Sequence, residues 1–109
     1  AECDLIVDFA GFGKTTADAL EAIKPTGTVV IVGMGILQSE INTYLMITKE
    51  IKLLGSNGGT VEDLQGVYEC SATGKMTPQL TTIPFEEIDV GLEKLKNHEV
   101  KGRLVAIFE

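Results

Sequence analysis

Histidine and cysteine are too scarce here to build a metal site. The chain has one histidine, His98, and two unclustered cysteines, Cys3 and Cys70, so a zinc site lacks soft ligands. Two cysteines form no disulfide framework either. Cys3 just before a strand and Cys70 in a helical pattern read as reduced thiols of a cytoplasmic protein. Basic residues are few, with nine Lys and Arg against 16 Asp and Glu, for a net charge of −7. That balance argues against nucleic acid, because phosphate binding needs a basic face, and against an anionic membrane surface. No apolar run reaches the roughly 18 residues of a bilayer span, and no signal-peptide pattern opens the chain. The first residue is Ala rather than Met and a strand begins almost at once, which is expected of a piece cut from something longer.

What is present fits a globular α/β chain. With 109 residues, 44% of them hydrophobic, it is one domain at most. "DLIVDFAGFGKTTADAL", Asp4–Leu20, reads as an apolar strand, a glycine turn and a helix. Gly13-Lys14-Thr15 matches the second half of a phosphate-wrapping loop, but the glycine due five places earlier is Asp8, and the wrap is too short. A glycine turn at a strand's C-terminal end is still the ligand-binding corner of an open α/β sheet. The run Asp4–Ala10, broken only by Asp8, predicts a strand buried on both faces. A helix follows over Thr15–Lys24, capped by Thr15 or Thr16 and stopped by Pro25-Thr26-Gly27. "TVVIVGMG", Thr28–Gly35, predicts a second buried strand, parallel to the first.

Ile36–Thr48 is irregular, and "EINTYLMI" within it fits either an edge strand or a short helix. Lys49–Gly59 predicts a third strand closing in a glycine cluster. Thr60 then caps a helix that carries Asp63 in its acidic first turn and ends near Thr73 at Gly74. "PQLTTIPF" is a short extended piece. Glu86–Lys96 predicts a helix with Ile88, Leu92 and Leu95 as its apolar stripe, and Gly102–Phe108 a last strand.

Three phrases in this order, "DLIVDFAG", "GTVVIVGMG" with "ITKEIKLLGS" behind it, and "LEKLKNHEVKGRLVAIF", resemble the C-terminal part of the medium-chain dehydrogenase/reductases, the zinc-type alcohol dehydrogenase family. The likeness covers essentially the whole chain. It implies an α/β fold: the C-terminal half of a Rossmann-type parallel sheet (β-α-β-β), then a helix, a short extended segment, a helix and a final strand. Residues 1–56 would be the second half of the NAD(P)-binding Rossmann domain and 57–109 the return to the catalytic domain. The G-x-G-x-x-G turn, the acidic residue for the adenine ribose, the zinc ligands and the proton relay of the family are not in this stretch. The resemblance therefore implies a parent oxidoreductase moving hydride between NAD or NADP and an alcohol or carbonyl, with zinc possible in the parent. A fragment without those parts is expected to bind dinucleotide weakly and to be inactive.

Carried over residue by residue, the resemblance puts Phe9, Ala10 and Gly11 by the adenosine ribose. It puts Val32, Gly33 and Met34 along the nicotinamide pocket, with Leu53, Leu54 and Gly55 on its other side. Arg103 would reach the pyrophosphate. Glycines let a backbone approach a flat cofactor, and Arg offers phosphate a planar donor fork. Plainer roles stand beside these: Gly33 and Gly35 ending a strand, Arg103 as a solvated arginine, Lys14 and Thr15 as a solvated helix start, Tyr44 and Tyr68 as packing residues. Asp8 within a strand needs backbone N–H groups or a cation as partner. In many relatives the "EINTYLMI" region helps form a two-fold contact, and the edge of the first strand, unpaired without its Rossmann neighbour, is a template for another chain. A homodimer or larger assembly through Glu40–Ile47 is expected. The competing readings are a nucleotide- or phosphate-binding α/β module using Gly13-Lys14-Thr15 without hydride chemistry, a quinone or enone reductase without zinc, and a non-catalytic interaction domain.

Overall fold

The computed structural model describes residues 2–108. Along the chain run β1 (Cys3–Asp8), α1 (Lys14–Ala22), β2 (Ile23–Ile31), α2 (Thr43–Lys49), β3 (Lys52–Gly55), α3 (Val61–Ala72), β4 (Leu80–Pro84), a 3-10 turn (Phe85–Glu87), α4 (Ile88–Lys96) and β5 (Arg103–Ile107). The fold is α/β with parallel strands, and it forms two compact units that divide between Gly58 and Gly59.

The first unit is a parallel sheet of order β1-β2-β3. Its register sorts the side chains by face. Ile6, Val29 and Leu53 stand in one row, and Val7, Val30 and Leu54 in the next. Neighbouring residues of a strand point to opposite faces, so the first row turns to the core and the second turns away. Ile6 and Leu53 pack against a core of Ala19, Leu20, Ile23, Val29 and Ile51. Each fully buried Leu, Ile or Val contributes about 1.5–3 kcal/mol.

Several expectations are corrected. β1 is not buried on both faces: Leu5 and Val7 are exposed on the face turned away from the core. The helix expected over Thr15–Lys24 starts one residue earlier and ends at Ala22, and β2 begins at once. Pro25 disfavours the helical region for the residue before it and offers no N–H. The ladder accordingly slips between the Cys3↔Ile23 and Leu5↔Thr28 pairs, where Thr26 sits at φ 64°. Lys49 then closes the helix end, its Nζ donating to the carbonyls of Leu20, Glu21 and Ile23 at 3.3, 2.6 and 3.0 Å, as a cation should at a helix C-terminus. The ambiguous "EINTYLMI" supplies helix α2, capped by Asn42, whose Oδ1 accepts from the Leu45 N–H at 3.3 Å. The β-α-β-β order is thereby β-α-β-α-β.

The second unit pairs β4 and β5 in parallel. Thr60 and Asp63 close a reciprocal capping box on α3, and Gly74 follows that helix at φ 74°. Helix α4 lies against this sheet through Gly91, where an added Cβ would stand 2.7 Å from Ile83 and 2.8 Å from Leu104. The first turn of the helix expected over Glu86–Lys96 is 3-10 rather than α. Phe85 and Phe108 stack with ring centroids 4.5 Å apart.

Candidate functional site

Parallel strands send their C-terminal ends to one edge of the sheet, and ligands of open α/β sheets bind there. In the first unit that edge carries two turns, Phe9–Gly11 after β1 and Val32–Gly35 after β2. Four main-chain hydrogen bonds stitch them together: the Val32 and Gly33 N–H groups donate to the Asp8 carbonyl at 2.9 and 3.1 Å, Gly35 to Ala10 at 3.1 Å and Ile36 to Gly11 at 2.9 Å. The backbones are so close that a Cβ on Gly11, which sits at φ 62°, would lie 1.8 Å from the Gly33 oxygen. Only glycine fits there.

Beneath the first turn lies the Asp8 carboxylate, buried. Its Oδ1 accepts from the N–H groups of Ala10 and Gly11 at 3.1 and 2.9 Å. The Thr15 hydroxyl lies 3.0 and 2.9 Å from its two oxygens, and the Thr16 hydroxyl donates to Oδ2 at 2.7 Å. The Gly11 N–H and the Thr16 hydroxyl, then Thr15 and Ala10, outweigh desolvation and hold the carboxyl below its ordinary range. Backbone N–H groups, with two hydroxyls, are thus the partner that a buried acid required. Neither threonine caps α1; its N-cap is Gly13 with no side-chain bond. The carboxylate claims both hydroxyls, because a charged acceptor makes the stronger bond. Lys14 is exposed and paired with Asp18 at 2.6 Å, which raises its ammonium above the usual range.

A cleft of about 550 Å³ opens between the ends of β2 and β3, lined by Ile31, Val32, Gly33, Met34, Gly55, Ser56 and Asn57. Val32, Gly33, Met34 and Gly55 are thus brought to one cleft. Phe9, Ala10 and Gly11 form the neighbouring turn, with Phe9 75% exposed. Leu53 packs against the core instead, and Leu54 stands on the opposite face, exposed. Ser56 and Asn57 take their place on the cleft; the Ser56 N–H extends the ladder to the Ile31 carbonyl at 3.0 Å. Only the length of the glycine cluster "GSNGG" could have signalled them. Arg103 belongs to the second unit, where it opens β5, exposed, its main-chain N–H donating to Gln79 at 2.8 Å. Among the described residues no group of three or more His, Cys, Asp or Glu could hold a metal ion, so zinc does not fit these residues.

The zinc-binding dehydrogenase family model matches residues 1–73. The chain belongs to that family. The chain is 29% identical over 101 residues to a D-arabinose 1-dehydrogenase (NADP(+)) of Saccharolobus solfataricus, covering 93% of the chain and 29% of the relative. It is 29% identical over 92 residues to an alcohol dehydrogenase of Geobacillus stearothermophilus, covering 84% of the chain and 27% of the relative. Among solved structures, the acetophenone reductase of Geotrichum candidum in complex with NAD superposes with a TM-score of 0.87 at 31% identity, over 94% of this chain and 30% of that one. The chain thus spans about three-tenths of the length of the curated relatives it matches.

Proposed function

We propose that this chain forms part of an NAD(P)-dependent oxidoreductase of the alcohol dehydrogenase type, and that it supplies the nicotinamide side of the cofactor cleft. The observation that carries this is the pair of stitched glycine turns beside an open cleft, at the C-terminal edge of a parallel sheet in a dehydrogenase-family chain. NAD(P), when bound, supplies the carbon that gives or takes hydride. The chain binds and orients it: bare backbone at Gly33 and Gly55 admits a flat ring, Met34 borders it, and the Phe9–Gly11 turn meets the ribose. Arg103, in the second unit, is the remaining residue the resemblance assigns to the cofactor, as a donor to its pyrophosphate. The described residues offer zinc no ligand set.

Residues 1–56 serve the cofactor domain in this proposal and 57–109 the catalytic domain. The substrate is a small alcohol or carbonyl compound, and two free, exposed thiols, Cys3 and Cys70, suit a reducing compartment such as the cytoplasm. The "EINTYLMI" region, with Tyr44 and Ile47 exposed, serves as a contact between two copies, which light scattering tests: a monomer at high concentration overturns it. A phosphate-binding module is disfavoured by a specific observation, the commitment of Thr15 to Asp8 and of Lys14 to Asp18.

The deciding experiment follows absorbance at 340 nm with the full-length protein, NAD⁺ or NADP⁺ and a panel of alcohols, then the reverse reaction with aldehydes, ketones, quinones and enones, with and without a chelator. Turnover of alcohols or carbonyls supports the proposal. Turnover of quinones or enones alone, indifferent to chelation, favours the zinc-free reductase. Absence of binding by both dinucleotides overturns it. In that protein Arg103→Ala is expected to weaken cofactor binding by about 1–3 kcal/mol, the scale of a charged hydrogen bond, read as a raised Kd in calorimetry.

A further inference from the structure

We propose that Asp8 is a positioning residue that makes the two turns of the cleft one mechanical piece, so that the ribose end and the nicotinamide end of the cofactor rest on a single rigid support. The proposal rests on the NAD(P) reading of the cleft. Asp8 works in two directions at once. Its side chain sets the first turn, through the Ala10 and Gly11 N–H groups, and ties that turn to α1 through the hydroxyls of Thr15 and Thr16. Its main-chain oxygen accepts from the N–H groups of both Val32 and Gly33, which begin the second turn.

The geometry leaves little slack between these two functions. Gly11 and Gly33 are in backbone contact, and the bonds Gly35 to Ala10 and Ile36 to Gly11 continue the seam. Rotation of the first turn therefore moves the carbonyls that the second turn hangs on. The carboxylate is buried, is already saturated with donors and faces α1, so it is not offered to a ligand. Its effect reaches the cofactor through the backbone it holds.

The test uses the full-length protein with Asp8→Asn, which keeps an acceptor but loses the charge, and Thr15→Val, which removes one hydroxyl at nearly constant shape. Hydrogen exchange is followed at peptides covering residues 9–13 and 31–36, together with the Kd for NADH and NADPH and the number of binding sites per folded chain. The expected result is faster exchange at both turns together, by about tenfold, with a Kd raised about three- to tenfold and an undiminished number of sites. A residue that only stabilises the fold would lower the number of sites and leave the Kd of the remainder unchanged, and that result overturns the proposal. So does acceleration confined to residues 9–13, since the turns would then be independent. If both turns loosen together and the wild type binds no dinucleotide, the mechanical coupling stands and the cofactor role is overturned.

Discussion

Both units combine parallel strands with helices, yet among the described residues only the first has an interior. Its three strands and two helices close around Leu20, Ile23 and Val29, each at 1% exposure or less. The second unit also has strands, helices and apolar side chains, but Val61, Leu64 and Tyr68 on α3 and Leu92 and Leu95 on α4 are exposed, and among the described residues of its helices Gly91 alone is buried. A third strand gives the first sheet a face that helices can cover, whereas a two-stranded sheet is marginal by itself. Amphipathic helices with bare apolar faces say that folding here depends on contacts the unit does not make internally.

The widest separation between the units should appear on deleting a leucine from each. Leu20→Ala removes a fully buried side chain and is expected to cost the first unit about 3–5 kcal/mol. Leu92→Ala acts on a side chain 59% exposed and should cost less than about 0.5 kcal/mol. Urea titration of the chain, followed by circular dichroism, measures both. Equal losses would mean that Leu92 lies in a cooperative interior, and the contrast between the units would collapse.

Glycines sharpen the same contrast at a somewhat smaller scale. Gly11→Ala places a Cβ 1.8 Å from the Gly33 oxygen at φ 62°, and the two turns must part. A loss of more than about 3 kcal/mol is expected. Gly74, at φ 74°, has nothing within 4 Å, so Gly74→Ala should cost only the left-handed backbone, about 1–2 kcal/mol. Melting temperatures of the two variants rank them directly.

Titration separates the units again. Asp8 and Asp63 both have carboxyls held below the ordinary value of 3.8, Asp8 first by the Gly11 N–H and Asp63 first by the Thr60 N–H. A depressed folded pKa means stability that is fully present above the unfolded value and is lost as pH falls through the folded one. Stability should therefore drop below pH 3.8 in both units. Asp8→Asn should flatten that drop in the first unit and cost about 1–3 kcal/mol at neutral pH. Asp63→Asn, on an exposed cap, should hardly alter the acid limb. Urea midpoints between pH 2 and pH 7 decide it, and an acid limb unchanged by Asp8→Asn would break the assignment.

Much of the first unit was legible because its signals are local. Apolar runs ending in glycines marked β1 and β2, and an acid inside a strand announced a buried network before its donors were known. Backbone N–H groups were among its expected partners, but the hydroxyl donors were not legible, since Thr15 and Thr16 look like caps until the Asp8 carboxylate competes for them. The α1 to β2 junction was misjudged because Pro25 acts on the residue before it, and the Lys49 cap comes from far along the chain. Leu53 and Leu54 show why cleft residues blur in sequence: adjacent strand residues face opposite ways, and which faces the helices depends on pairing register. In the second unit Thr60, Asp63 and Gly74 were readable as helix ends for the same local reason, whereas the exposure of the apolar side chains of α3 and α4 has no local signature.

The smallest expected effect bears directly on what covers α3. Gly66 lies mid-helix, where an added Cβ would find open space within 4 Å. Glycine inside a helix is about 0.5–1 kcal/mol worse than alanine, because it has more backbone freedom to lose. In this chain Gly66→Ala should therefore stabilise α3 by that amount, seen as higher helical ellipticity and a later loss of it on heating. In the full-length protein the sign can reverse. If another segment approaches α3 closely along Gly66, the same methyl group meets backbone or packed side chains, and overpacking costs about 1–3 kcal/mol. Stabilisation in both settings would show that this face of α3 stays open to water. Stabilisation of the chain with destabilisation of the longer protein would show that the interior missing from the second unit is completed there. Destabilisation already in the chain would mean that α3 is packed within it, contrary to the exposure of Val61, Leu64 and Tyr68.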